Sequence, residues 1–360
     1  MTHALAAIFE GVAGQLEFRE FPIPEPRGAE ILVHVVGCTL CASDRHSFEG
    51  RRAVPVPTVL GHEIVGTIVS CGETAPTHDL AGHALEVGDR VVWAIVAQCG
   101  ECFFCLRGLP QKCLNAVKYG HEALRPGREL LGGLADHCLL VPGTSIVRLP
   151  VELPLAVACP ASCATATVAA ALEAAGDLRG NNVGIFGAGM LGLTACAMAR
   201  SLQAAEVVCI EPQPERQRRA LDFGATRVAA PAELPAVIEL AKIRHGFDVV
   251  LELSGSPSSF GVAWPAIRIG GRLILVGSVY PSAPVELALE QVVRRQIMIQ
   301  GVHNYAPRHL VTAVEFLSAE HGNFSFAELV SEWLPLRAIG EAFAKSGDPG
   351  AIRIGVMPRG

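Results

Sequence analysis

Asn182-Val183-Gly184-Ile185-Phe186-Gly187-Ala188-Gly189-Met190-Leu191-Gly192 is the stretch that decides how this chain is read. Its first half is an apolar run that predicts a buried strand. Its second half spells G-x-G-x-x-G, and an apolar run to about Ala204 predicts the helix that follows. Glycine turns are common, and a packing turn in an α/β domain that binds no nucleotide is the alternative. Here the strand before and the helix behind supply the context a dinucleotide turn needs. The glycines permit a tight turn and bring a pyrophosphate against the helix N-terminus, where free N–H groups and the dipole favour an anion. Gly187, Gly189, Met190, Leu191 and Gly192 are therefore candidate cofactor-binding residues.

Downstream, the strand Glu206 to Glu211 ends in an acid about twenty residues past the turn, the place where a carboxylate binds the adenosine ribose. Glu211 accepts from the free 2'-hydroxyl of NAD and repels the 2'-phosphate of NADP, so NAD is favoured. Arg216, Arg218 and Arg219 could bind that phosphate, but they read more simply as a solvated helix face. A helix Pro214 to Phe223 and one near Ala232 to Arg244 follow. Strands at Phe247 to Leu253, Gly271 to Val276 and Gln296 to Gln300 are separated by further helical segments. Strand–helix alternation from about Leu155 implies a parallel sheet with right-handed crossovers. Upstream, β-branched runs such as Ile31 to Val36, Ile64 to Val69 and Arg90 to Val96, punctuated by Gly and Pro, predict a β-rich, barrel-like domain to about Pro150. After about Val302 helices and a short strand, Ala351 to Met357, complete the chain, with no strand partner indicated.

At 360 residues the chain is long for one core and fits two domains. A formal charge of -6 makes a nucleic-acid surface an unlikely main role. The uncharged stretches Leu153 to Leu172 and Gly180 to Ala199 are interrupted by Pro, Ser, Thr or Gly, and read as buried α/β elements rather than membrane spans. The start, Met1-Thr2-His3-Ala4, lacks the basic opening and apolar run of a signal peptide, so a cytoplasmic location is expected. Twelve cysteines without such a signal point to metal binding rather than disulfides.

Four of them, Cys99, Cys102, Cys105 and Cys113, follow the pattern C-x2-C-x2-C-x7-C, which suits a closed tetrahedral structural zinc. An iron–sulfur cluster also uses close cysteine runs, but the usual spacings differ. A second constellation runs from Cys41-Ala42-Ser43-Asp44-Arg45-His46 to Gly61-His62-Glu63. A thiolate and an imidazole suit zinc, and a serine and a second histidine beside them could move protons. Two ligands by themselves are more often structural than catalytic.

Together these stretches, with Cys163 to Thr167 and Ile352-Arg353, resemble the medium-chain, zinc-dependent alcohol dehydrogenase family along essentially the whole chain. The resemblance implies an α/β architecture: a GroES-like β-rich catalytic domain from residues 1–155 and 303–360, and a Rossmann domain, doubly wound on a parallel sheet, over 156–302. It implies Cys41, His62 and Cys163 as ligands of a catalytic zinc, with Cys159 a rival for the third place. Glu63 would sit behind the metal and could ligate it. Asp44 would orient the His62 ring, and Arg353 would lie near the cofactor pyrophosphate. Thr167, Gly277 and the backbone around Val276 to Ser278 and Gly301 would position the nicotinamide.

The implied reaction is hydride transfer between a primary or secondary alcohol and NAD, with the alkoxide on zinc. Ser43 takes the proton and passes it through the cofactor ribose to His46. A homodimer or homotetramer is expected. For the substrate, the texture of Leu109 to Ala123 and Gly132 to Ala135 resembles a branch associated with phosphonate metabolism. Arg45, Arg51, Arg52, Lys118 and Arg125 could bind an anionic, phosphonate-type alcohol; an alicyclic alcohol is the rival. Outside this class stand an NAD-binding non-catalytic protein with a structural zinc lobe, and an NADP-dependent aldehyde or ketone reductase.

Overall fold

The computed structural model describes residues 2–358. Contacts divide the chain into two units: Met1–Ala166 with Ala306–His321 and Phe326–Gly360, and Thr167–Tyr305 with Gly322–Ser325. The first boundary falls after residue 166 rather than 155, because the helix Ala164–Ala175 starts in one unit and runs into the other.

The first unit is built on a seven-stranded sheet. Its centre is the strand Ile31–Thr39, whose β-branched residues are buried along nearly its whole length. This strand pairs antiparallel with Glu63–Cys71, His137–Leu140 and Arg353–Met357. The final strand therefore finds its partner at the other end of the chain, with Gly355 opposite Thr39 and Val356 opposite Cys38. On its other side it pairs in parallel with Val330–Pro335, a strand that sequence reading missed. Val330–Pro335 carries Glu332 and Pro335 and buries little of its length, so it lacks the apolar texture of a central strand. Ile31, Val33, Val35, Ile64, Ile68, Val91, Trp93 and Tyr119 belong to the unit's main apolar core.

The predicted strand Arg90 to Val96 is broken in the structure. Arg90–Trp93 pairs with Ile146–Arg148, and the Ala94 N–H continues that register to the Ser145 carbonyl at 2.8 Å before the pairing ends. Val96–Ala97 then pairs with Val117–Lys118, the short ribbon that joins the cysteine-rich lobe to the rest of the unit.

The second unit is a six-stranded, all-parallel sheet. Taken in chain order its strands are Asn182–Phe186, Glu206–Ile210, Arg227–Ala229, Phe247–Glu252, Ile267–Leu275 and Met298–Gly301, arranged 3-2-1-4-5-6. That order is the doubly wound one, and its strand order reverses between the first and fourth strands, where ligands bind beyond the carboxyl ends. The loops at that point are Gly187 onward and Leu253 onward, tied by the Leu253 N–H to the Phe186 carbonyl at 2.9 Å. The helix expected near Ala232 to Arg244 is only Leu234–Leu240, flanked by a short turn at Pro231–Glu233 and by Lys242 in the left-handed region. Among the described residues, no single helix is long and apolar enough to cross a membrane.

Candidate active site

In the first unit the helix Ala42–Phe48 starts directly after Cys41, and Asp44 holds its opening. One Asp44 oxygen, Oδ2, accepts the Cys41 N–H at 3.0 Å. The other, Oδ1, accepts the Gly61 N–H at 3.1 Å and sits 3.0 Å from Nδ1 of His62. One buried carboxylate thus fixes the backbone of one candidate ligand and the ring of the next. With Nδ1 engaged, Nε2 of His62 is the nitrogen left for a metal, and Ser43 Oγ lies 3.3 Å from it.

The donor atoms of Cys41, His62 and Cys163 all lie within 4.8 Å of one another. Two sulfurs and an imidazole nitrogen so gathered fit one zinc ion with a position left open. The Cys41 thiol is pulled well below its ordinary range, chiefly by a hydrogen bond from Cys163, with Arg353 and His62 adding to it against burial. Burial works against a charged His62 ring, but the Asp44 carboxylate outweighs it and raises the ring to about 10. A metal would displace that proton. Cys159, the rival third ligand, is fully buried and turns its thiol to the Gly37 carbonyl at 3.4 Å, outside the cluster.

One buried ion pair engages both Glu63 and Arg353. Glu63 is not among the gathered donors: its oxygens accept Nη2 and Nε of Arg353, both at 2.8 Å, and the Thr39 hydroxyl at 2.6 Å. Arg353, expected near the cofactor pyrophosphate, makes its side-chain contacts within the first unit. It is buried against Glu63, with Nη1 on the Ile352 carbonyl at 3.0 Å and Nη2 also 3.7 Å from Cys41 Sγ. A bidentate guanidinium–carboxylate pair satisfies both buried charges, which leaves Glu63 no free oxygen to coordinate.

His46 lies one turn past Ser43 on the same helix, half-buried. Burial, then the charges of Arg51 and Arg45, lower its pKa, so the ring is neutral and able to accept a proton at pH 7. Thr167 is half-buried on the helix one turn after Cys163. His121, which sequence reading passed over, packs its ring 5.2 Å from that of His62. Its only sequence signal was membership of the Lys118 to Ala123 stretch.

The cysteine lobe brings Cys99, Cys102, Cys105 and Cys113 within 4.8 Å of one another. Backbone N–H groups of Cys99 and Leu114 point at the sulfurs of Cys113 and Cys102, at 3.3 and 3.4 Å. Such donors stabilise thiolates; those of Cys105 and Leu114 bring Cys102 down to about 6. Four sulfurs with backbone donors around them fit a closed zinc site.

In the second unit, Gly187 takes φ +100° and the helix Met190–Ser201 begins after Gly189. A Cβ on Gly192 would lie 1.8 Å from the Gly187 carbonyl oxygen, so this position has room for no side chain, while nothing lies within 4 Å of a Cβ on Gly189. The open cradle at the helix start fits a pyrophosphate. Met190 is buried beneath it and Leu191 half-buried. Glu211 is buried; Oε2 accepts the Ala188 N–H at 2.9 Å and Oε1 the Gln213 N–H at 3.1 Å, so the acid also braces the turn. Arg216 is half-buried on the helix Pro214–Asp222. Gly277 lies just past the fifth strand, where a Cβ would meet the Gly255 nitrogen at 2.2 Å.

Comparison with known proteins agrees with this fold. Residues 27–151 match the model for an alcohol dehydrogenase GroES-like domain, and residues 191–319 that for a zinc-binding dehydrogenase. L-threonine 3-dehydrogenase of Pectobacterium atrosepticum is 31% identical over 289 residues, covering 78% of this chain and 74% of that protein. Geraniol dehydrogenase of Castellaniella defragrans is 30% identical over 357 residues, covering 92% and 91%. The crystal structure of an alcohol dehydrogenase from Thermotoga maritima superposes with a TM-score of 0.92 at 29% identity, covering 99% of this chain and all of that one. With two units of the expected folds and relatives matched over most of their length, the chain belongs to the medium-chain zinc-dependent alcohol dehydrogenase family.

Proposed function

We propose that the protein is a zinc-dependent, NAD-linked alcohol dehydrogenase that interconverts a primary or secondary alcohol and its carbonyl product. The observation that carries this reading is the convergence of Cys41, His62 and Cys163, with the Ser43 hydroxyl 3.3 Å from the free nitrogen of His62. Cys41, His62 and Cys163 would hold the zinc, which would supply Lewis-acid polarisation of an alcohol or carbonyl oxygen. The glycine turn would hold NAD, which would supply the hydride acceptor. Ser43 receives the proton of the substrate hydroxyl, and His46, held neutral one turn further on, accepts it for release to water. Asp44 keeps the His62 ring in the tautomer a ligand needs, and the Arg353–Glu63 pair places a fixed, neutral-sum charge pair behind Cys41. The four lobe cysteines would hold a second, structural zinc. NAD rather than NADP is supported by Glu211, whose buried carboxylate would face a 2'-phosphate with like charge.

The test is NADH absorbance with a panel of neutral, alicyclic and anionic (phosphonate-type) alcohols, alongside metal analysis. Two zinc ions per chain are expected, one for each gathered donor set. Cys41→Ser should lose one of them and its turnover while still binding NADH. Normal turnover in that variant would sink the assignment, and a clear preference for NADP would overturn the reading of Glu211.

A further inference from the structure

The fold treats five basic residues of the first unit, Arg45, Arg51, Arg52, Lys118 and Arg125, very differently. Arg51 is exposed and pairs with Glu49; Arg125 is exposed; Arg45 donates to the Ser346 carbonyl at 2.8 Å. Arg52 and Lys118 are different. Both are half-buried, and among the described residues neither forms an ion pair with a carboxylate. The nearest acid along the chain, Glu122, spends Oε1 on the Lys118 backbone N–H at 2.8 Å, and Asp44 is committed to Cys41, Gly61 and His62.

One of the two cations, Arg52, is held beside the metal centre by His121. Nη1 of Arg52 lies 2.6 Å from His121 Nε2, and His121 Nδ1 lies 2.9 Å from the Tyr119 carbonyl. A guanidinium only donates, so Nε2 is the acceptor and the ring proton sits on Nδ1, where the carbonyl takes it. His121 is thus a neutral bracket that aims Arg52. Gly120 makes the approach possible: at φ +75°, a Cβ there would lie 2.6 Å from the Gly61 carbonyl oxygen and 3.2 Å from His62 Cβ. The 118–121 loop is therefore pressed onto the segment that carries His62. Lys118 is close enough to Cys163 and Asp44 to feel both charges.

Two partly desolvated cations with no carboxylate in contact are unfavourable; Cys163 and Asp44 act on Lys118 only through space and do not outweigh its burial. Burial, followed by the charge of Arg52, lowers the Lys118 ammonium to about 8, which is the expected response to a missing anion. A pairing of this kind in a site is a functional signature.

We propose that Arg52 and Lys118, with His121 orienting Arg52, form a recognition site for an anionic group, a carboxylate or a phosphonate, carried on the substrate alcohol. This deepens the dehydrogenase reading and rests on it. The guanidinium offers a planar two-donor edge and the ammonium a point charge, a combination suited to a multi-oxygen anion.

Two measurements on the zinc-loaded protein test it. Calorimetric titration with methylphosphonate and with propionate should show binding to the native protein that weakens at least about tenfold in Arg52→Gln and in Lys118→Gln, as loss of a charge-assisted contact requires. Lys118→Arg, which keeps the charge, should bind more tightly than Lys118→Gln. In kinetics, the ratio of kcat/KM for 2-hydroxyethylphosphonate or 3-hydroxypropionate to that for 1-propanol should fall by a similar factor in both Gln variants. Zinc content and NADH binding report that each variant is folded. Whichever probe binds more tightly identifies the anion. Absence of anion binding to the native protein, or equal binding by the Gln variants, overturns the site even if neutral alcohols are oxidised. Lys118-dependent anion binding with no alcohol oxidised would uphold the site and defeat the dehydrogenase reading.

Discussion

Asp44 and the Arg353–Glu63 pair do their work one residue at a time, through charges that have no access to water. Each Asp44 oxygen is occupied, and between them they hold Cys41, Gly61 and His62. Asp44→Asn keeps the shape but weakens the acceptor behind His62 Nδ1. Zinc affinity at the three-ligand site should fall about 10–100-fold, as for other carboxylates behind ligating histidines, and chelator competition would measure it. Glu63 and Arg353 are 290 residues apart in the chain and make two contacts of 2.8 Å. Removing one partner strands a buried charge, so Arg353→Met should cost about 3–5 kcal/mol in urea denaturation. Adding Glu63→Gln to that variant removes the orphaned charge and should recover part of the loss; no recovery would mean the pair is not coupled. At this scale Cys41 and His62 stood out as candidate ligands by residue type, and the structure gathers their donor atoms with that of Cys163. The partners of Glu63 were not legible, because Thr39 and Arg353 are ordinary residues until the sheet brings them together.

Elements with strong local signals were read well, and those whose boundaries depend on neighbours were not. The strand Asn182–Phe186 and its glycine turn appear where the pattern placed them, since an apolar run before G-x-G-x-x-G leaves the backbone little choice. Gly192→Ala would thrust a Cβ to 1.8 Å from the Gly187 carbonyl. The turn must open, so NADH affinity by fluorescence titration should drop at least about tenfold, with zinc content unchanged, if close backbone approach is what holds the pyrophosphate. The cysteine lobe is a second self-contained element. Its two short 3-10 turns, Cys105–Arg107 and Pro110–Lys112, bury little apart from Pro110. Without metal it has almost nothing to order it. Cys105→Ser should therefore lose one zinc equivalent and make the 99–113 segment a site of rapid proteolysis, while the zinc at Cys41 stays. By contrast, the break after Ala94 and the strand Val330–Pro335 were missed, because both are settled by hydrogen bonds to distant segments.

Across the whole molecule, the decisive event is the return of the C-terminus to the first unit. The strand Arg353–Met357 inserts between Ile31–Thr39 and Val330–Pro335, and so carries Arg353 to Glu63 and Cys41. A chain ending at residue 350 would leave Ile31–Thr39 without that partner and Glu63 without its cation. It should fail to bind zinc through Cys41 and expose apolar surface to a hydrophobic dye; normal zinc loading by that truncation would contradict this account. Periodicity alone could show that Ala351 to Met357 is a strand, but not which edge it would join, since many edges of similar texture are available.

The sequence by itself determined the two fold types, the glycine turn after its strand, and the four-cysteine spacing of the lobe. Each of these is written in short-range spacing, which backbone geometry reads without help from the rest of the chain. Only the tertiary structure decided that Cys163 rather than Cys159 joins Cys41 and His62, and that Glu63 faces Arg353 instead of a metal. It likewise singled out Arg52 and Lys118 from five candidate cations. These outcomes depend on which buried charges find partners, and a charge's partner is fixed by where the sheet and its loops bring remote residues, not by what stands next to it in the chain.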